Sequence, residues 1–177
     1  MRTYIALLRG INIAGNNPLP MRGLVGILGR MGCKDVKTYI QSGNAVFRTG
    51  KSQTKKLAEE ISSRIYKEHG FKPKVLLLSV SQLEKAIDHN PFSTTDGRAL
   101  HFMFLESSPK KPDLAGLMAV KSKTEEFRLD KNVFYLYAPD GVGRSKLVAK
   151  VEPALGVPVT GRNWNTVNTL MAMAKQT

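Results

Sequence analysis

Thr3–Leu8, TYIALL, opens the chain with an apolar run of strand length. A loop rich in Gly and Asn follows, Arg9–Leu19. Pro20 then suits the first position of a helix, and Leu24, Ile27, Leu28 and Met31 form its apolar stripe, with Gly32 as a stop. Gly23, Gly26 and Gly29 each weaken that helix by roughly 1 kcal/mol relative to Ala, so it depends on packing. The stretch Thr38–Thr49, TYIQSGNAVFRT, sets two β-rich runs around Ser42-Gly43-Asn44 and predicts a hairpin of Val36–Gln41 with Ala45–Thr49. Thr54–His69 reads as a helix with Leu57, Ile61 and Ile65 on one face and Gly70 as its stop. Lys74–Ser79 is the next strand, and the order so far is βαββαβ, a ferredoxin-like unit.

The pattern then repeats. Ser81-Gln-Leu-Glu84 has the spacing of a capping box for a short helix that stops before Asn90-Pro91. Residues 91–98 read as a linker between a first unit, 1–90, and a second, 99–177. The second unit has a strand at Leu100–Leu105, a weak helix at Asp113–Val120 and a hairpin at Phe127–Ala138 turning at Asp130–Asn132. A helix at Arg144–Glu152 follows, which Pro153 should end or kink. Thr160–Asn165 is polar, and Val167, Leu170, Met171 and Ala174 form the stripe of a final helix that Asn165 can cap. The expected fold is α+β, two ferredoxin-like βαββα units packed together with mainly antiparallel sheets. Tyr4–Leu8 and Phe102–Leu105 are apolar at every position, so the sheet faces away from the helices should be covered as well.

Charge changes this picture more than composition does. Lys and Arg number 27 against 14 Asp and Glu, a net charge of +13, which attracts phosphates and nucleic acid. The basic residues form no block of like charge, so a solvated basic surface and a polyanion track are both compatible with them. A single cysteine, Cys33, excludes an internal disulfide and reads as a small buried hydrophobe. No apolar run is long enough for a membrane span and no signal peptide is expected, so the expected location is cytoplasmic, without membrane association.

Three polar clusters could carry chemistry. In a βαββ unit the first two strands are parallel, so their ends share one edge, and Arg9 and Asn12 converge there with Gln41, Ser42 and Asn44. Asn, Ser and Gly are ordinary turn residues, but Arg and Gln are not. The second cluster, Asp140-Gly-Val-Gly-Arg-Ser-Lys146, opens a helix, where free N–H groups and the helix dipole favour an anion. Arg144 can grip a phosphate bidentately and Lys146 adds a point charge, while Ser145 can serve either as a cap or as a ligand. The spacing is neither that of a P-loop nor that of a dinucleotide fingerprint. The third cluster is Arg162, Asn163, Trp164 and Asn165, where Trp164 is a core plug or a stacking platform. His69, His89 and His101 have no metal-ligand spacing, no metal or cofactor is indicated, and no nucleophile, base and orienting group can be assembled. An RNA-recognition motif needs aromatics in its third strand where Asn44 and Val46 stand, which excludes that motif.

Taken together, YIALLRGIN, TYIQSGNAVF, the NPF at Asn90–Phe92, DGVGRSKL and RNWNTV closely resemble a bacterial family known as domain of unknown function 1697, over about Thr3 to Ala174. The resemblance implies two ferredoxin-like halves in a small soluble protein. It brings no activity, substrate or catalytic residue, but the clusters above lie inside its hallmark motifs. Gly26, Gly29 and Pro153 depart from what the family's helices lead one to expect. The expected function is a binding module for a phosphate-bearing partner, either a small molecule such as a nucleotide or a nucleic-acid backbone. The alternatives are a small enzyme acting on an anionic substrate by positioning and electrostatics, and a structural or interaction protein that forms an oligomer.

Overall fold

Both expected hairpins form, and each is the nucleus of a four-stranded antiparallel sheet in the computed structural model, which describes residues 1–177. The first sheet is built from β1 (Arg2–Arg9), β2 (Lys34–Tyr39), β3 (Asn44–Thr49) and β4 (Lys74–Ser79). Its strand order is β2-β3-β1-β4, with helices α1 (Met21–Arg30) and α2 (Thr54–His69) as the connections. After α3 (Val80–Asp88) the plan repeats with β5 (Leu100–Leu105), α4 (Leu114–Val120), β6 (Glu126–Asp130), β7 (Val133–Tyr137), α5 (Lys146–Leu155) and β8 (Val159–Asn163). The second order is β6-β7-β5-β8, the same as the first once renumbered. Helix α6 (Trp164–Lys175) closes the chain. The fold is α+β, with two sheets of ferredoxin-like order.

The chain divides into two compact units, Met1–Lys85 with Thr169–Thr177, and Ala86–Asn168. The expected linker, 91–98, falls inside the second unit in this division. In the first unit Tyr4, Ala6, Leu8, Ala45 and Phe47 pack with Leu24, Ile27 and Leu28 of α1 and Leu57, Ile61 and Ile65 of α2. Each Leu or Ile buried in full contributes roughly 1.5–3 kcal/mol, which offsets the low propensity of glycine-rich α1. The alternate residues Ile5, Leu7 and Val46 are buried too, so the centre of this sheet has no face open for stacked bases. In the second unit Met103, Leu105, Phe134 and Leu136 pack with Leu117 of α4 and Leu147, Val151 and Leu155 of α5.

Four local expectations change. The polar stretch around Thr160 contains a strand, β8, whose residues pair with β5 from His101↔Asn163 to Leu105↔Val159. Helix α5 runs through Pro153 to Leu155 and stops at Gly156, which has φ 68°. Pro153 lies in the last turn, and the buried Leu155 after it holds that turn on the core. The capping box of α3 is Ser79 with Gln82, not Ser81 with Glu84: Ser79 Oγ accepts from Gln82 N–H at 3.1 Å, and Gln82 Oε1 accepts from Ser79 N–H at 2.8 Å. The cap of α6 is Asn163, whose Oδ1 accepts from Thr166 N–H at 3.0 Å, and Asn165 sits in the first turn.

Candidate functional site

At the first unit's loop edge the expected convergence occurs. Asn12 has φ 52°, a left-handed conformation that Asn tolerates. Its Nδ2 donates to Leu19 O at 2.9 Å and to Gln41 O at 2.7 Å, and its Oδ1 accepts from Leu19 N–H at 2.7 Å. One amide thus closes the 12–19 loop and ties it to the β2–β3 turn. Within the loop, Ala14 and Gly15 both have positive φ between Ile13 and Asn16, which exchange backbone bonds as a two-residue hairpin does. Asn44 is fully buried, and its Nδ2 donates to Tyr39 O at 3.0 Å and to Ser42 Oγ at 2.9 Å. Gly43, at φ 87°, cannot be replaced without strain: a Cβ there would lie 2.7 Å from Leu8 Cβ and 2.8 Å from Ile11 Cδ1. Arg9 is half-buried at the end of β1, opposite Lys74 of β4, while Gln41 is exposed. Ile40, β-branched and 50% exposed, is held at φ 48°, a strained conformation for such a side chain.

The start of α5 is already furnished with an anion. Ser145 Oγ accepts from Val148 N–H at 3.1 Å as the N-cap and donates to Glu125 Oε1 at 2.5 Å. The other carboxylate oxygen of Glu125 accepts from Ser122 N–H at 2.9 Å, and Glu125 is only 5% exposed. Its carboxylate lies where a phosphate was expected, and a second anion there meets like-charge repulsion. No sequence pattern marks Glu125, which lies twenty residues before Ser145 in the loop that leads into β6. Arg144 and Lys146 are exposed at the same helix start, and neither forms an ion pair.

The third cluster is split between β8 and α6. Arg162 Nη1 donates to Gly161 O at 2.8 Å, and burial pulls its guanidinium pKa down to about 10, which still leaves it charged at neutral pH. Trp164 is half-buried with its ring centroid 5.8 Å from that of the fully buried Phe102, so much of it is core. Asn165 packs over Gly97, where a Cβ would come within 2.0 Å of its Oδ1. No group of three or more His, Cys, Asp or Glu side chains is close enough to hold a metal ion. Cys33 is buried, and burial pushes its thiol pKa up, away from the thiolate.

Charge is distributed unequally between the units. The first holds sixteen Lys and Arg against five Asp and Glu, a balance of +11, and the second holds eleven against nine, +2. All five acidic side chains of the first unit are in ion pairs: Asp35 with Arg48, Glu59 with Lys72, Glu60 with Lys51 and Arg64, Glu68 with Arg30, and Glu84 with Lys175. Nine further lysines and arginines there are exposed and have no carboxylate within reach. Counting charge by unit reveals this asymmetry from the sequence once the boundary is known, whereas a search for blocks of like charge does not.

Fold and surface together define an α+β protein of two ferredoxin-like units, with a strongly basic first unit and a nearly neutral second. The chain belongs to the family described as "Protein of unknown function (DUF1697)", which it matches over residues 1–135. The two later motifs, DGVGRSKL and RNWNTV, lie beyond that match. A solved structure of similar fold is that of the conserved bacterial protein SP0830 from Streptococcus pneumoniae. It shares 24% identity with this chain, covers 98% of each chain and has a TM-score of 0.69. No protein with a curated description matches this chain. No helix is long and apolar enough to cross a membrane.

Proposed function

We propose that this protein is a binding module for nucleic-acid backbone and that its first unit makes the contact. The observation that supports this most is the saturation of that unit's carboxylates: all five are paired, yet nine exposed cations have no acidic partner. A surface of this kind binds phosphates by releasing counterions, without reading bases. The engagement of Asn12, Asn44, Ser145 and Asn163 in loop and cap bonds supports a fastening role for them, and ligand contact then falls to the exposed lysines and arginines. A small phosphate at Arg144 and Lys146 is the second reading, and the carboxylate of Glu125 weighs against it.

The test is the fluorescence anisotropy of a labelled duplex of about 20 base pairs, titrated from low to high salt. If about four phosphates are neutralised, log K falls against log salt with a slope of about −3 to −4. That is roughly a hundredfold loss in affinity between 50 and 200 mM salt, whatever the sequence of the duplex. Absence of binding at 50 mM salt overturns the proposal. So does salt-resistant binding of a nucleotide that a duplex fails to displace, which would restore the small-phosphate reading.

A further inference from the structure

The first unit has two sheet ends, and cations stand at both: Lys74 lies opposite Arg9 and Arg22 opens α1 at one, while Arg2, Lys34, Lys55 and Lys56 gather at the other. Resting on the reading above, we infer that a duplex backbone is held at the end where β1 and β2 begin and β3 finishes, by Arg2, Lys34, Lys55 and Lys56. The register brings these residues together. Arg2 pairs with Thr49, and Lys34 pairs with Arg48. From Thr49 the chain passes through Lys51 into α2, whose first turn contains Lys55 and Lys56 and no acidic residue. Three carboxylates lie near this end, and all are engaged: Asp35 with Arg48 at 3.0 Å, Glu59 with Lys72, and Glu60 with Lys51 at 2.6 Å and Arg64 at 3.5 Å. The pKa of Glu60 is lowered, chiefly by its hydrogen bond from Lys51, so it stays ionised and paired. Arg2, Lys34, Lys55 and Lys56 are exposed and have no carboxylate partner.

Two of these placements oppose the stability of the free protein. Lys34 stands across from Arg48, and like charges directly opposite on neighbouring strands repel. Lys55 and Lys56 stand at the positive end of a helix dipole, where acidic residues are the favourable choice. Phosphates in front of this edge turn both repulsions into attraction. No aromatic residue occurs in 1–3, 31–36 or 48–56, and the strand aromatics Tyr4 and Phe47 are buried, so the patch offers no ring for base stacking. The regular phosphates of a duplex suit it better than an unstacked single strand.

The experiment compares two triple variants of the full chain that remove equal charge. Lys34→Gln, Lys55→Gln and Lys56→Gln together neutralise this edge, and Lys110→Gln, Lys111→Gln and Lys150→Gln together neutralise exposed cations of the second unit. The edge variant is expected to weaken duplex binding at least tenfold at 50 mM salt, and to make the salt slope shallower by about 2 to 3. The control should stay within about twofold of wild type. With its repulsions removed, the edge variant should melt no lower than wild type, which separates lost contact from lost fold. Equal losses in both variants, or a larger loss in the control, overturn this placement and leave nucleic-acid binding standing. Wild-type protein that binds no duplex overturns both. Tighter binding to phosphatidylserine vesicles than to duplex through the same three lysines also overturns the assignment, since the partner would then be a lipid surface.

Discussion

Single side chains at the loop edge act as fasteners. Asn12 uses two donors and one acceptor on three backbone groups, and it joins loops 29 residues apart in sequence. Asn12→Ala should therefore destabilise the protein by about 2–3 kcal/mol, since each such bond contributes about 1 kcal/mol and its backbone partners lose their mate. Urea denaturation measures this, and a change below about 0.5 kcal/mol would mean that water replaces the amide. His101 sets a pH dependence. Burial lowers its pKa below the ordinary histidine value, against a weaker opposing effect from the hydrogen bond with the Arg98 backbone. The folded protein then resists protonation at this site while the unfolded chain accepts it. This site leaves stability unaffected above about pH 7, and stability falls as pH drops below about 6.5 until the lowered folded value is reached. Melting curves at pH 7.5 and 5.5 should show a larger acid-induced drop for wild type than for His101→Gln, and identical drops would remove His101 from the account.

Among the elements, α1 carries three glycines of unequal standing. A Cβ on Gly23 would lie 3.3 Å from the His69 imidazole of α2, a close approach between the helices. One on Gly26 would lie 3.1 Å from the Arg30 guanidinium, which pairs with Glu68 at 2.5 Å. Gly29 is exposed and has nothing within 4 Å of an added Cβ. Gly29→Ala should thus stabilise the fold by roughly 0.5–1 kcal/mol, read as a higher melting temperature, and no gain would point to a contact outside this chain. The same scale explains what the sequence makes legible. The two hairpins follow from turn residues flanked by β-rich runs, and α2 from a clean stripe closed by Gly70. Strand β8 was obscured because VTGRN is short, holds a glycine and joins its sheet through backbone bonds at an edge, which leave no side-chain pattern. Cap positions were displaced because Ser79 and Ser81 each head a capping-box spacing, as Asn163 and Asn165 each could cap α6. Only backbone geometry decides between such neighbours. The convergence of Arg9, Asn12, Gln41, Ser42 and Asn44 was legible from topology, whereas the carboxylate of Glu125 under Ser145 was not, because tertiary packing alone brings them together.

Across the whole molecule, the two units share one topology and differ in charge, +11 against +2. Core packing is alike in both, with two helices on one face of each sheet, so the fold gives no reason for the difference. Surface ion pairs contribute little to stability, typically about 0–1 kcal/mol each, and so many unpaired cations on one unit repel one another. The proposed nucleic-acid partner would remove that repulsion. The most direct test is an amide chemical-shift map of the full chain, recorded by ¹⁵N–¹H NMR as duplex is added at low salt. Duplex contact through the first unit should give shifts concentrated at residues 1–3, 33–36 and 48–57, with the amides of 143–147 and 162–165 unmoved. Shifts centred on Arg144–Lys146 or Arg162–Asn165, with the first unit silent, would contradict it.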